Sequence, residues 1–407
     1  MNMMDTRAKG QTSYDFDRVI NRRGTQSEKW NVGENELPMW VADMDFEVAE
    51  PIRQALRQRV DHGIYGYSGI SEDWYQAYIS WWVSCHGWTI EHDWLIFTTG
   101  VVPAISSMVR KLTTPAEKVL LQTPVYNIFF NSILNNGRFP LESPLKLVDT
   151  GRADGWKEYR MDFDRLEADL SDPQVTLMIL CNPQNPGGTI WSAEDLKRVA
   201  ELCARHGVTV ISDEIHGDLT EPGVGYVPFA SVSPTASRIS VTCLSPSKAF
   251  NIAGIHSAAV VVPDEQLRHK VWRGLNTDEI AEPNVFAVGA AVAAFNQGGE
   301  WLDALRCYIS ENRRFACDYI SAQIPLIQPV HGEGTYLLWL DLRALPGHGE
   351  GFTDFLRQQT GLFITDGAHY GQGGSGFARM NLACPRSLVE DGLDRLRRGV
   401  KAYCQQR

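Results

Sequence analysis

L-S-P-S-K-A-F-N-I-A-G, residues 244–254, is the stretch whose reading decides the fold. A hydrophobic run at 239–244 leads into it, and a second apolar run, 257–262, follows. Lys248 is thus held between two expected buried strands and flanked by small and hydroxyl residues. That is a poor place for a solvated surface charge. Burial lowers the pKa of a lysine, and the neutral amine is the form that attacks a carbonyl. Taken alone, the segment would also suit a lysine in a polar surface loop, so the upstream strand ends carry the decision.

Residues 211–219 read I-S-D-E-I-H-G-D-L, with Asp213 at the carboxyl end of a short buried strand over 208–212. Residues 177–190 read L-M-I-L-C-N-P-Q-N-P-G-G-T-I, a strand running into a Pro/Gly turn that carries Asn182 and Asn185. Residues 98–105 read T-T-G-V-V-P-A-I. Gly100 follows a strand over 95–98, and a helix is expected to begin near Pro103. Gly100, Val101 and Val102 would then offer backbone N–H groups and a helix N-terminus to a phosphate. In open α/β sheets, ligands bind beyond the carboxyl ends of the strands. Four strand ends supply a phosphate cradle, an amide, a carboxylate and a lysine. Those are the groups needed to hold pyridoxal phosphate (PLP).

The order Gly100, Asn185-Pro186-x-Gly188, Asp213, Ser-x-Ser-Lys248, Arg379 resembles the fold-type I PLP enzymes, the aspartate aminotransferase superfamily. Within it the chain is most similar to the cystathionine β-lyase or C–S lyase branch of the maltose-regulon modulator type. That match rests on P-M-W-V-A-D-M-D-F (38–46), Y-G-Y-S (65–68), T-P-V-Y (123–126), S-D-E-I-H (212–216), S-K-A-F-N-I-A-G (247–254) and R-M-N-L-A-C-P-R (379–386). The resemblance spans nearly the whole chain. It implies an α/β fold: a large PLP-binding domain over 50–285, with a mostly parallel seven-stranded-type sheet between helices, and a smaller α+β domain from both chain ends, 1–49 and 286–407.

The resemblance also assigns roles, each beside a plainer reading. Lys248 carries PLP and then takes the Cα proton. Asp213, otherwise a helix cap, faces the pyridine nitrogen and keeps the ring protonated. Asn185, otherwise a turn stabiliser, donates to the cofactor's 3-oxygen. Tyr126, otherwise a half-buried aromatic, stacks on the ring. Ser245 and Ser247, otherwise turn residues, donate to the phosphate. His216 is either a satisfied core histidine or a cofactor-side residue acting from behind the contacting ones. Arg379 in F-A-R-M-N-L grips the substrate α-carboxylate through its planar fork; the plainer reading pairs it with Asp366 or Asp341. Tyr67 reaches the phosphate and substrate of the partner subunit, with Tyr65 packing beside it, so the active site requires a homodimer. Trp40, Tyr65, Tyr370 and the 371–376 loop are candidates to line or gate the substrate pocket. Arg386 is expected on the surface. One departure stands out: many aminotransferases carry an arginine eight positions after the lysine, and here that position is His256.

The reaction implied is α,β-elimination on L-cystathionine, L-cysteine or related S-substituted cysteines, giving thiol, pyruvate and ammonia. An aminotransferase would use the same groups, and a purely regulatory protein-binding role is the third reading. The 407 residues suffice for two domains with a large core. A net charge of -11 disfavours nucleic acid and anionic membranes as partners. No apolar run approaches the ~20 residues of a membrane span, and the N-terminus lacks a hydrophobic signal region. Eight scattered cysteines form no C-x-x-C pair, so neither a zinc site nor a redox motif is expected. The expected setting is cytoplasmic and reducing.

Overall fold

The computed structural model describes residues 14–406. Seven short strands build the main sheet: β1 (Leu95–Thr98), β2 (Lys118–Leu121), β3 (Phe139–Glu142), β4 (Val175–Cys181), β5 (Thr209–Asp213), β6 (Ser240–Leu244) and β7 (Ala258–Val261). Their spatial order is β1-β7-β6-β5-β4-β2-β3. Every pair from β6 to β3 is parallel, and β7 runs antiparallel to both β6 and β1. The central strands are buried along nearly their whole length because both sheet faces are covered by helices, as in other parallel sheets. β4, V-T-L-M-I-L-C, and β6, S-V-T-C-L, are buried at all but one residue of the former.

The register places the ligand-bearing ends side by side. Cys181 of β4 lies opposite Asp213 of β5, and Asp213 lies opposite Cys243 of β6. The turn after β4, the carboxylate of β5 and the lysine loop after β6 therefore open at one edge of the sheet. The turn holds because of glycine: Gly188 has φ +74°, and a Cβ there would sit 2.8 Å from the Gly334 carbonyl oxygen. The helix after β1 spans Val101–Leu112, two residues earlier than the expected start near Pro103. Gly100 caps it and Pro103 falls within its first turn, where the missing N–H is harmless.

A second sheet of four antiparallel-paired strands has the order Gln328–Pro329, Leu337–Asp341, Phe377–Asn381, Thr365–Asp366. The chain's early part joins it: Leu37–Pro38 pairs in parallel with Leu362–Phe363. Leu37 and Met39 share a core with residues from the long helix Gly299–Gln323 and the C-terminal helix Arg386–Gln406. The helix Ala287–Gln297 packs instead in a core with β1, β6 and β7 residues, against Glu50–His62 and Glu72–His86.

Candidate active site

Eleven of the residues singled out in the sequence line one cleft: Gly100, Val101, Val102, Tyr126, Asn185, Asp213, His216, Ser245, Ser247, Lys248 and His256. All but His256 lie at or just beyond the end of a strand of the main sheet, in its last residue, the following turn or the first turn of the following helix. Ser245 caps the four-residue helix Pro246–Ala249 by accepting from Ser247 N at 3.1 Å. Its hydroxyl is 2.9 Å from that of Ser247 and donates to the Ser257 carbonyl at 2.7 Å. Two residues of this loop, Asn251 and His256, adopt the left-handed region at φ 56° and 57°. Neither is glycine, so the surrounding contacts over-determine the loop.

The charged groups are tuned by burial. Burial, reinforced by the Arg379 charge, lowers the Lys248 amine to about 8, against the pull of Asp43 and Asp213. Its Nζ donates to the Ala42 carbonyl at 2.5 Å. Burial raises the Asp213 carboxyl to about 7, while the Ile215 N–H and Lys248 act to lower it. Asp213 accepts from Ile215 N at 3.1 Å. Burial, then the charges of Lys248 and Arg379, pushes His216 down to about 3, so its ring is neutral. Its Nδ1 is buried without a partner, and its ring meets Tyr336 edge-on at 6.2 Å. Burial raises the Tyr126 phenol to about 12, keeping it protonated.

Arg379 sits behind the cleft on the strand Phe377–Asn381 and is 5 % exposed. Its Nη1 donates to Asn185 Oδ1 at 3.1 Å, and its Nη2 to the Trp40 carbonyl at 2.8 Å. Its Nε has no partner, and its guanidinium lies 5.2 Å from the Tyr370 ring centroid. Asp341 binds Arg343 and Asp366 binds Thr353, so neither pairs with Arg379. Among the described residues Arg379 forms no salt bridge. A buried guanidinium facing an amide and a carbonyl is arranged for an anion brought by a ligand.

Other candidates stand outside the cleft lining. The Trp40 indole stacks on Phe363 at 4.9 Å and donates to the Lys29 carbonyl; its backbone oxygen, not its ring, meets Arg379. Tyr67 is fully exposed, and Tyr65 is 55 % exposed beside Phe286. Tyr370 is buried under Arg379. The 371–376 loop is pinned rather than free, with Gln372 N on Glu142 Oε2 at 2.6 Å. Arg386 is half-buried rather than on the surface, because Nε donates to Asn312 at 2.7 Å and its guanidinium covers Phe315.

Sequence reasoning passed over three groups here. Ser257 lines the cleft with its hydroxyl buried and unpartnered. The signal was available: a hydroxyl opening a strand adjacent to β6. The Ala42 carbonyl and the Tyr336 hydroxyl, which donates to it at 2.8 Å, gave no signal. The two lie 294 positions apart in the chain.

The donor set suits PLP. There is a helix N-terminus with hydroxyls for a phosphate, a buried carboxylate for a pyridine nitrogen, an amide for a ring oxygen and a deprotonatable lysine for an aldehyde. The unpartnered Ser257 hydroxyl and His216 Nδ1 mark polar positions within the cleft that protein atoms leave unsatisfied.

Comparison with known proteins agrees with this geometry. The chain is 43% identical over 393 residues to cystathionine beta-lyase PatB of Bacillus subtilis, covering 94% of this chain and 98% of that one. It is 35% identical to protein MalY of Escherichia coli, covering 96% and 99%. The crystal structure of the PLP-bound C–S lyase from Staphylococcus hominis superposes with a TM-score of 0.87 at 30% identity, covering 95% and 99%. The profile of aminotransferase class I and II matches residues 27–396, and the chain belongs to that family.

Proposed function

We propose that the protein is a PLP-dependent carbon–sulfur β-lyase acting on L-cystathionine, L-cysteine or related S-substituted L-cysteines. The carrying observation is the pairing of Lys248, lowered to about 8, with a buried Arg379 that lacks a carboxylate partner in the same site. The relatives named as cystathionine beta-lyase and C–S lyase support the same reading.

These residues would hold PLP: Asp213 would face the pyridine nitrogen, Asn185 would donate to the ring oxygen with His216 behind the contacting groups, and Tyr126 would stack on the ring. Gly100, Val101, Val102, Ser245 and Ser247 would hold the phosphate. Bound PLP supplies an electron sink for the pair left when the Cα–H bond breaks. Arg379 fixes the substrate carboxylate bidentately, which orients the Cα proton. The Lys248 amine, unprotonated above about pH 8, takes that proton as general base. The Cβ–S bond then breaks, the electron pair leaves with sulfur, and the remaining three-carbon enamine hydrolyses to pyruvate and ammonia. Tyr67 of the partner subunit completes the site, so the active species is a homodimer in the cytoplasm. Among the described residues no helix is long and apolar enough to cross a membrane. The division into a PLP-holding unit over 50–285 and a smaller unit from 1–49 and 286–407, of which residues 1–13 and 407 lie outside the described residues, belongs to the same proposal, with Ala287–Gln297 siding with the larger unit by its packing.

A steady-state assay on PLP-loaded protein with L-cystathionine tests this. Pyruvate and thiol in equal amounts, without added 2-oxo acid, are the expected result. An amino acid formed only from added 2-oxo acid would make the protein an aminotransferase instead.

A further inference from the structure

Residues 40–46, W-V-A-D-M-D-F, form no helix or strand, yet their backbone is bonded at nearly every position. The Trp40 carbonyl accepts from Arg379 Nη2 at 2.8 Å and from Thr365 Oγ1 at 3.1 Å. The Ala42 carbonyl accepts from Lys248 Nζ at 2.5 Å and from the Tyr336 hydroxyl at 2.8 Å. Asn381 Nδ2 donates to the carbonyls of Val41 and Asp43, both at 2.6 Å. Asn251, on the lysine loop, accepts from Met44 N and donates to the carbonyls of Met44 and Phe46.

The acidic side chains of the same segment enter a cluster that the mechanism does not use. Asp45, 3 % exposed, accepts from Lys29 Nζ, Trp30 Nε1 and Arg22 Nη1, each at 2.7 Å. Asp43 accepts from Arg22 Nη2 at 2.7 Å. Lys29 is 1 % exposed. Burial alone would raise the Asp45 carboxyl; the charge and hydrogen bond of Lys29, with Trp30 and Arg22, hold it below its ordinary value. Desolvating two charges offsets most of their attraction, so a buried ion pair adds little net stability, and its best-attested use is to fix register. Neither Lys29 nor Asp45 lines the cleft, so any effect on chemistry passes through the backbone between them and it.

We propose that Lys29 and Asp45, with Arg22 and Trp30, are positioning residues. They set the register of 40–46 and so hold the Trp40 and Ala42 carbonyl oxygens against Arg379 and Lys248. The substrate-carboxylate clamp and the proton-transfer amine are thereby aligned by one buried pair. The Ala42 oxygen takes an N–H of the amine and leaves its lone pair for the Cα proton. A slip of the segment displaces both groups together. This inference rests on the lyase reading for its kinetic arm only.

The test compares Asp45→Asn and Trp30→Phe with wild type in two readouts. One is the pH dependence of PLP uptake by the apoprotein, followed by visible absorbance, which reports the Lys248 titration. The charged groups acting on that amine are Arg379, Asp43 and Asp213, with His216 neutral beside it. An N–H bond to a carbonyl favours the charged amine, so loss of alignment moves the uptake midpoint down. The other readout is KM and kcat for L-cystathionine per loaded site. In Asp45→Asn the midpoint falls by about half a pH unit and KM rises about tenfold. Trp30→Phe, which removes one donor, shifts both in the same direction by about two- to threefold in KM. Wild-type midpoint and KM in both variants, with only thermal stability reduced, would overturn the proposal. Should Asp45→Asn fail to fold, Trp30→Phe decides by the same readouts. Should wild type lack lyase activity, the function reading fails while the uptake midpoint still decides the positioning.

Discussion

At the scale of single residues, burial drives a lysine and a carboxyl in one cleft toward each other, to about 8 and about 7. The amine reacts only when unprotonated, so PLP uptake by the apoprotein accelerates as pH rises through about 8 and levels off above it. Lys248→Ala keeps its circular dichroism, loses the visible absorbance of covalently held cofactor, and loses elimination activity by at least about a thousandfold. Full turnover in that variant would remove Lys248 from the mechanism. For Asp213 the folded pKa lies above the unfolded value. Its contribution is intact below about 4 and is lost as pH rises through about 7. That penalty is on the order of 4 kcal/mol for the apoprotein. Asp213→Asn therefore raises the apoprotein melting temperature at pH 8 and leaves it nearly unchanged at pH 4, while activity falls. Equal melting shifts at both pH values would refute the sign.

At the scale of elements, the turn after β4 and the loop after β5 depend on contacts from distant parts of the chain. Gly188→Ala forces a Cβ to 2.8 Å from the Gly334 oxygen at φ +74°. A loss of about 2–4 kcal/mol is expected in urea denaturation, with weaker PLP retention because Asn185 shares the turn. Behind Asp213, Glu214 is buried and raised to about 7 by burial; it accepts from Ser212, Phe229 N and Tyr226. Tyr226 in turn accepts from Trp82 at 3.1 Å. Tyr226→Phe strands both partners and costs about 1–3 kcal/mol, checked by the same denaturation. These elements show what sequence reveals. β4, β5 and β6 are readable because each is a mainly apolar run stopped by a polar residue; Asp213 is such a stop, and Asn185 and Lys248 follow in the turns after Cys181 and Leu244. The helix expected to begin near Pro103 starts two residues earlier, at Val101, directly after the Gly100 cap. The roles of Lys29, Asp45 and the Ala42 carbonyl left no local trace. Their partners lie far along the chain, and the first fifty residues carry no periodic pattern.

At the scale of the whole molecule, the chain presents Tyr67 fully to the outside, beside Gly254, Ile255 and Phe286. If it serves the neighbouring site, two inactive variants should complement. Mixing equal amounts of Lys248→Ala and Tyr67→Ala protein under exchange gives half heterodimers with one native site each, about a quarter of wild-type activity. No recovery, with exchange shown by mass spectrometry, would place Tyr67 outside the shared site. The level ends of β4, β5 and β6 have a consequence of another kind. Neighbouring strands in a sheet are about 4.8 Å apart wherever they occur. The spacing across Cys181, Asp213 and Cys243, from which the ligand-bearing turns spring, is therefore metred by backbone hydrogen bonds and not by any side chain. Such a ruler does not drift as sequences diverge. The loops it carries are free to change leaving groups, substrates and even reaction type while the cofactor's footprint stays where it was.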